Sequence, residues 1–321
     1  MNTNLRLITY NIDGLPEELD LSTLPLILRP IAWIYKLIKG TTIIRINDNT
    51  NTENKIKHIS KCLLNSNADV IAVQEDFNYH QELMSELNDT YHDSIHTGKI
   101  ELNNLFQKTE WLTLFPLPRF KCDGLNVICK KNRVFTNAEY VISWDKSCGY
   151  FKHANDSLTH KGFRCSSLVI DRNTPIDVYN IHMDADFYAD LKDGKAPIDI
   201  KARESQLKQL TEYIIYRCGM GFNNPIIILG DTNSSVDFEW DRNNIETNLL
   251  NPINNDVPNL SIEEIIPTNI RDVDRIFVVN NSKSNYEIKV VNCFYDTSFN
   301  DEIGPVSDHK PLLTDIEIIE K

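Results

Sequence analysis

Basic residues are too few in this chain to offset its acid: 33 Lys and Arg stand against 46 Asp and Glu among 321 residues, a net charge of −13. A sequence-indifferent grip on nucleic acid needs cations to displace counterions from phosphates, so this balance argues against one. A local phosphate site stays compatible with it where metal ions offset the acid. No stretch rich in proline, glycine or serine divides the chain and no internal repeat occurs. A prior of ~150 residues per domain points to two domains, but layered α/β folds often use this length as one unit, so the expectation is one domain over 1–321. Cysteine is present without organisation. The seven residues (Cys62, Cys122, Cys129, Cys148, Cys165, Cys218 and Cys293) are odd in number and lack zinc-like spacing. Reduced thiols are expected rather than a disulfide frame. The opening MNTNLRLITYN has no charged stretch followed by an apolar run and a small cleavage site, so no secretory signal is visible. The expected location is cytoplasmic, with peripheral membrane contact as a variant.

A long apolar run is also missing. The nearest approach, residues 21–40 (LSTLPLILRPIAWIYKLIKG), is broken by Pro25, Arg29, Pro30 and Lys36. A bilayer span needs ~20 predominantly apolar residues, so this segment does not cross one. From Pro30 onward, Ile31, Ile34, Tyr35 and Ile38 fall at helical spacing beside Lys36 and Lys39, with Trp33 among them. The first expectation is a helix packed over the core, inserted after the first strand. The alternative is a surface helix whose residues 24–38 dip into a lipid interface.

What the chain does have is a series of short β-rich runs, each ending in polar residues. Ile226–Leu229, between a proline and Gly230-Asp231-Thr232-Asn233, is too short for a buried helix and rich in β-branched residues, so it reads as an inner strand. Open α/β sheets place ligands at the carboxyl ends of their strands, which makes Asp231 a carboxylate delivered to a rim. Taken alone, the segment is equally well a strand followed by an Asx-type turn. Its partners shift that balance. Leu5–Tyr10 ends in Asn11, Ala68–Ala72 leads to Val73-Gln74-Glu75, Ile176–Ile181 ends in His182, and Arg271–Val279 carries Asp274 near its start. Ser307-Asp308-His309 enters the last strand. Two carboxylates held together call for a cation, and an imidazole beside carboxylates is kept available for proton transfer. Helices are expected at 55–64, 81–87 and 198–218, and the Asn-rich stretch 242–260 is read as loops. Segment 124–129 is a further strand, with Arg119, Lys121, Lys130, Lys131 and Arg133 around it read as solvated strand ends.

The ordered set TYN (9–11), VQE (73–75), His182, GDTN (230–233), VDRIF (273–277) and SDH (307–309) resembles the endonuclease/exonuclease/phosphatase superfamily over residues 5 to about 316. The resemblance implies a four-layer α/β/β/α sandwich of two mixed β-sheets flanked by helices, with the site at one end. It further implies a metal-dependent phosphodiesterase that uses activated water, with Mg²⁺, or Mn²⁺ in its place. Glu75 would be the principal metal ligand, with Asn11 beside it and Asp308 near. Asp231 and Asn233 would orient the water and the scissile phosphate. His309 would act as general base, held by Asp274, and His182 would contact a phosphoryl oxygen or the leaving group. Asp156 to Phe163 (DSLTHKGF) is similar to a stretch of neutral and bacterial sphingomyelinases, which makes Asp156 and Lys161 substrate-binding candidates. His182 to Ala185 followed by Arg203 and Gln206 also resembles those enzymes, although the Arg-x-x-Gln-Leu feature occurs in the 5′-tyrosyl-DNA phosphodiesterases too. With the apolar segment 21–40 and the overall acidity, a phospholipid headgroup is favoured over a DNA end. Residues 9–15, GDTN and VDRIF equally resemble the phosphodiesterases that clear 5′-tyrosyl adducts from DNA. An endonuclease, an inositol-phosphate phosphatase and a non-catalytic binding module are the remaining alternatives, and no protein partner can be inferred.

Overall fold

A computed structural model describes residues 2–14, 18–20, 29–41, 43–45, 52–93, 123–147, 159, 161–186, 194–195, 197, 199–270, 272–300 and 304–321. The expected inner strands form. The first, β1 (Thr3–Asn11), is followed by a short ribbon, β2 (Glu18–Asp20) and β3 (Ile43–Arg45), with α1 (Arg29–Lys39) between its strands. Then come α2 (Thr52–Ser66), β4 (Val70–Gln74), α3 (His80–Met84), β5 (Tyr91–His92), β6 (Asn126–Lys130) and β7 (Val134–Ser143). Two long strands, β8 (Gly162–Ile170) and β9 (Thr174–His182), lead to α4 (Ile200–Gly219) and β10 (Ile226–Asp231). After α5 (Glu239–Ile245), a π-helical turn (Glu246–Leu250) and α6 (Asn251–Asp256), the chain closes with four strands. These are β11 (Leu260–Ile265), β12 (Asp274–Asn281), β13 (Tyr286–Tyr295) and β14 (Leu312–Glu320).

Two mixed six-stranded sheets result, in the orders β13-β14-β1-β4-β6-β5 and β11-β12-β10-β9-β8-β7. Each has a parallel pair near its middle, β1 with β4 and β9 with β10, and is otherwise antiparallel. Strand alternation sorts the side chains. Leu5 and Leu7 of β1 pack against Val178, Leu229 and Ile276 of the other sheet, in the core between the two. Ile8 and Tyr10, one residue out of phase, pack with Ile56, Ile59 and Leu63 of α2. Ile181, Ile228 and Phe277 face Leu207, Leu210 and Ile214 of α4. Helix, sheet, sheet and helix therefore stack as the expected α/β/β/α sandwich.

Two expectations change. Residues 242–256 of the 242–260 stretch are helical rather than loop, because Ile245, Leu249 and Ile253 recur every four residues and are buried against α4. Asparagine is a mediocre helix former, and here that burial outweighs its propensity. The helix expected from Pro30 forms as α1, but its apolar residues Trp33, Ile34, Leu37 and Ile38 are exposed instead of packed over the core. Residues 21–28 and 94–122 lie outside the described residues. Of the basic cluster, Lys130 and Arg133 pair with Asp69, and Lys131 donates to the Asn88 carbonyl. These three are strand-end residues as expected, while Arg119 and Lys121 lie outside the described residues. The five described cysteines are free thiols, and no described helix is long and apolar enough to cross a membrane.

Candidate active site

Register brings the polar strand ends together. Asp231, the last residue of β10, lies opposite His182 of β9 on one side and Asp274 of β12 on the other. In the facing sheet, Asn11 ends β1 opposite Gln74 of β4, and Glu75 follows directly. Close backbone approach makes this possible. A Cβ on Gly230 would sit 2.1 Å from the Ile181 carbonyl oxygen, and one on Gly14 would sit 2.3 Å from the Glu75 carbonyl oxygen. Glu75 itself adopts φ +60° and Asn233 φ +48°, conformations uncommon outside glycine that concentrate at functional sites.

Asp231 is the hub. Its Oδ2 accepts from Asn11 Nδ2 at 3.1 Å and lies 3.5 Å from His182 Nε2 and 3.7 Å from His309 Nε2. Its Oδ1 accepts the backbone N–H of Asn233 at 2.8 Å. Asn11 Nδ2 also reaches Glu75 Oε1 at 3.3 Å, and His182 Nε2 lies 3.8 Å from that oxygen. Across the cluster, His309 Nδ1 is 2.8 Å from Asp274 Oδ2. Lys161 is buried beside them and donates from Nζ to the Met183 carbonyl at 3.2 Å, and Asn233 Nδ2 donates to the same carbonyl at 3.0 Å. Nine of the ten residues expected at the site are described. Eight of these (Asn11, Glu75, Lys161, His182, Asp231, Asn233, Asp274 and His309) meet here, carried by both sheets. Asp308 is exposed, with Oδ1 3.4 Å from Ser307 Oγ. Asp156 lies outside the described residues.

The electrostatics divide the groups by role. Burial pushes the Glu75 carboxyl up to about 7, against the nearby Lys161 charge. Burial acts on Asp231 in the same direction, but the His309 and Lys161 charges and the Asn11 hydrogen bond overcome it and hold Asp231 below its ordinary value, hence ionised. The two histidines are driven apart. Burial and then Lys161 hold His182 well below the ordinary imidazole value, so it is neutral. Burial opposes charge on His309 as well, but the carboxylates of Asp274 and Asp231 outweigh it and raise His309 well above that value. Opposed titratable groups around one point are the arrangement that acid–base chemistry requires.

Donor chemistry identifies the cation that would fit. The ligand atoms of Asp231, Asp274 and His309 lie within 4.8 Å of one another, but the His309 imidazole is engaged by Asp274 and holds a proton, which disqualifies it as a ligand in that state. Glu75 is different. It is a partly buried carboxylate with an amide at 3.3 Å and a neutral imidazole at 3.8 Å, and the Lys161 charge offsets its desolvation only in part. The carboxylate of Glu75 and the amide oxygen of Asn11 are hard oxygen donors of the kind Mg²⁺ takes.

Several supporting groups were not visible as site residues in the sequence. Ser307 Oγ donates to the Asn11 carbonyl at 2.8 Å and accepts the His309 N–H at 3.2 Å. Tyr295 OH donates to the Asp274 carbonyl at 2.7 Å, and Trp144 Nε1 donates to the His182 carbonyl at 2.7 Å. Ser307 stood inside a motif already singled out, whereas Tyr295 and Trp144 are far away in sequence and carried no local signal.

No family model matches the chain, and no curated protein matches it in sequence. Solved structures match in fold. An endonuclease/exonuclease/phosphatase family protein from Bacteroides thetaiotaomicron superposes with a TM-score of 0.58 at 14% identity, covering 99% of this chain and 98% of that one. The chain has the endonuclease/exonuclease/phosphatase fold. A beta toxin double mutant from Staphylococcus aureus, solved with bound magnesium ions, gives 0.57 at 15% identity over 99% and 100% of the two chains. The D. rerio TDP2 structure complexed with a single-strand DNA product gives 0.56 at 12% identity over 98% and 99%.

Proposed function

We propose that this protein is a metal-dependent phosphodiesterase of the endonuclease/exonuclease/phosphatase fold and that its substrate is a phospholipid headgroup diester. The observation that carries the reaction class is Asp231. One ionised carboxylate, held by Asn11 and by the Asn233 backbone, stands between a neutral and a charged imidazole and faces a desolvated glutamate from the other sheet. Hydrolysing a phosphodiester needs charge neutralised on the phosphoryl oxygens, an oriented water and help for the leaving oxygen. Glu75 and Asn11 would hold Mg²⁺, with Asp308 close along the chain to Ser307. The bound ion would supply charge neutralisation on the phosphoryl oxygens.

The chain's own residues supply the rest. Asp231 and Asn233 orient the attacking water. His309 removes its proton once its own is released, and Asp274 fixes the ring by holding Nδ1, so that Nε2 points at the Asp231 side of the site. His182, neutral and buried, presents Nε2 to the same space and contacts a phosphoryl or leaving oxygen. Lys161 adds a fixed positive charge beside Glu75 and Asp231.

The lipid preference rests on the likeness of Asp156 to Phe163 to a stretch of sphingomyelinases and on an acidity that disfavours DNA, while Arg203 and Gln206 after His182 are shared with the DNA-end enzymes. Gln206 donates to Asp184 Oδ1 at 2.8 Å, and Arg203 donates to the Asp184 carbonyl at 3.2 Å, so both brace the strand end that carries His182. The test is hydrolysis of a chromogenic diester with Mg²⁺ and with chelator, followed by sphingomyelin vesicles, a 5′-tyrosyl oligonucleotide and inositol phosphates. Turnover on sphingomyelin that needs Mg²⁺ supports the proposal. Turnover confined to the oligonucleotide reassigns the substrate, and none on any diester overturns the reaction class.

A further inference from the structure

The segment between β1 and α2 has no part in the chemistry above, yet it contains the most exposed apolar surface among the described residues. Pro30, Trp33, Ile34, Leu37 and Ile38 recur at helical spacing and occupy one arc of α1, while Lys36 and Lys39 lie on the opposite arc. In a core helix the apolar arc faces inward. Here Trp33 is 64% exposed, Ile34 51%, Leu37 66% and Ile38 72%. Contiguous exposed apolar residues of this kind mark an interaction surface.

The helix is locally well specified. Pro30 stands in its first turn, and Gly40, at φ +77°, closes its last turn by donating its N–H to the Lys36 carbonyl at 2.8 Å. Antiparallel pairing of β2 with β3 brings the two ends of the excursion together, so α1 is presented on a two-stranded ribbon outside both main sheets. The excursion leaves β1 immediately after Asn11, a residue of the candidate site.

We propose that α1 docks this protein on an anionic lipid surface. Charge selects the occupant. The helix RPIAWIYKLIK contains no acidic residue and has Lys36 and Lys39 in its last turn, in a chain whose net charge is −13. A second copy of α1 would bring like charges together. An anionic bilayer instead accepts the apolar arc into its acyl boundary, the tryptophan at its polar margin and the lysines among its headgroups. Because the rest of the protein is acidic and repelled by such a surface, attachment is local to α1 and weakens with salt. The inference stands whichever diester is hydrolysed.

The experiment is co-sedimentation of the full chain with phosphatidylcholine vesicles, with and without phosphatidylglycerol. The double variant Leu37→Glu/Ile38→Glu and the double variant Lys36→Glu/Lys39→Glu are run in parallel, with circular dichroism as the check on folding. The wild type is expected on phosphatidylglycerol vesicles about tenfold or more over phosphatidylcholine alone, and each variant loses about tenfold or more of that binding. Hydrolysis of a soluble chromogenic diester stays unchanged in both variants. Failure of the wild type to bind phosphatidylglycerol vesicles overturns the proposal, as does full binding by the Leu37→Glu/Ile38→Glu variant. A dimer in gel filtration that this variant dissolves also overturns it and assigns the face to a second copy. Absence of diester hydrolysis with vesicle binding intact counts against the phosphodiesterase reading alone.

Discussion

Gln74 and Asn180 come from facing sheets and meet one step below the site, with Gln74 Nε2 donating to Asn180 Oδ1 at 2.6 Å. Gln74 also donates to Thr9 Oγ1 at 3.0 Å, and Asn180 Nδ2 donates to the carbonyls of Val73 and Asn126 at 2.8 and 2.9 Å. The side chains of Gln74, Asn180 and Thr9 are all fully buried. The sheets that supply Glu75 and His182 are thus registered by a buried polar bridge, not by apolar contact alone. Asn180→Ala removes the three side-chain hydrogen bonds that tie the sheets here, each worth about 0.5–1.5 kcal/mol. The expected result in urea denaturation is a clear loss of stability, together with a fall in diester turnover larger than the lost folded fraction explains. Unchanged stability would remove the bridge from this account.

Asp274 and His309 make the second case. If His309 is the base, the rate rises with pH as it loses its proton, through a group titrating above the ordinary imidazole value of about 6.5. Asp274→Asn removes the larger of the two carboxylate fields that hold the proton on His309. The rising limb of kcat/KM then moves to lower pH and the plateau falls by about 10²-fold. A merely structural Asp274 would lower the plateau and leave the limb where it was. His309→Ala and Asp231→Ala should each reduce turnover by about 10²-fold or more with an unchanged melting profile.

Much of this site was legible because it sits on elements that announce themselves. Residues such as Ile226–Leu229 and Ile176–Ile181 are buried on both faces, so they read as continuous apolar runs, and the polar residue after each run has to lie at a rim. The outer strands carried no such signal. β7 is largely exposed and β13 half-buried at sheet edges, and their alternation is diluted by polar residues. The Asn-rich 242–260 stretch hid a helical period behind its composition. What the pattern could not supply was the pairing across sheets. Nothing local in Tyr295 or Trp144 indicates that one holds the Asp274 backbone and the other the His182 backbone, because such contacts form only when distant segments pack.

Mg²⁺ binding should depend on pH in a definite direction. Burial lifts the Glu75 carboxyl to about 7, and an ion takes the carboxylate form, so affinity is full above that value and lost as pH falls through it. An ion present at about 100 times its Kd stabilises the folded chain by about 2.7 kcal/mol. The Mg²⁺-induced rise in Tm is therefore expected at pH about 8, much reduced at pH about 5.5, and absent in Glu75→Gln at both. An equal rise in the glutamine variant would take Glu75 out of the metal site.

His80 gives the opposite sign. Its ring sits between Asp76 Oδ2, 2.6 Å from Nδ1, and Asp93 Oδ2, 2.8 Å from Nε2. Burial disfavours its charged form, but the hydrogen bonds to Asp76 and Asp93 outweigh that and raise it to about 9. A group raised above its unfolded value contributes stability that is full below the unfolded value of about 6.5 and disappears as pH climbs through about 9. Denaturation midpoints of the wild type should therefore fall between pH about 6 and about 9.5, and His80→Gln, which carries no titrating ring, should show a smaller fall over the same range. Because Asp76 directly follows Glu75, loss of this clamp also frees the turn that holds Glu75 at φ +60°. Diester turnover should then fall in the wild type at the alkaline end even where the rest of the chain stays folded, opposing the rise expected from His309. A wild-type midpoint that is flat across this range would show that His80 is neutral between its two carboxylates, and the support of Asp76 beside the Glu75 turn would fall to Asn126 Nδ2, which donates to Asp76 Oδ2 at 3.2 Å, and to the backbone.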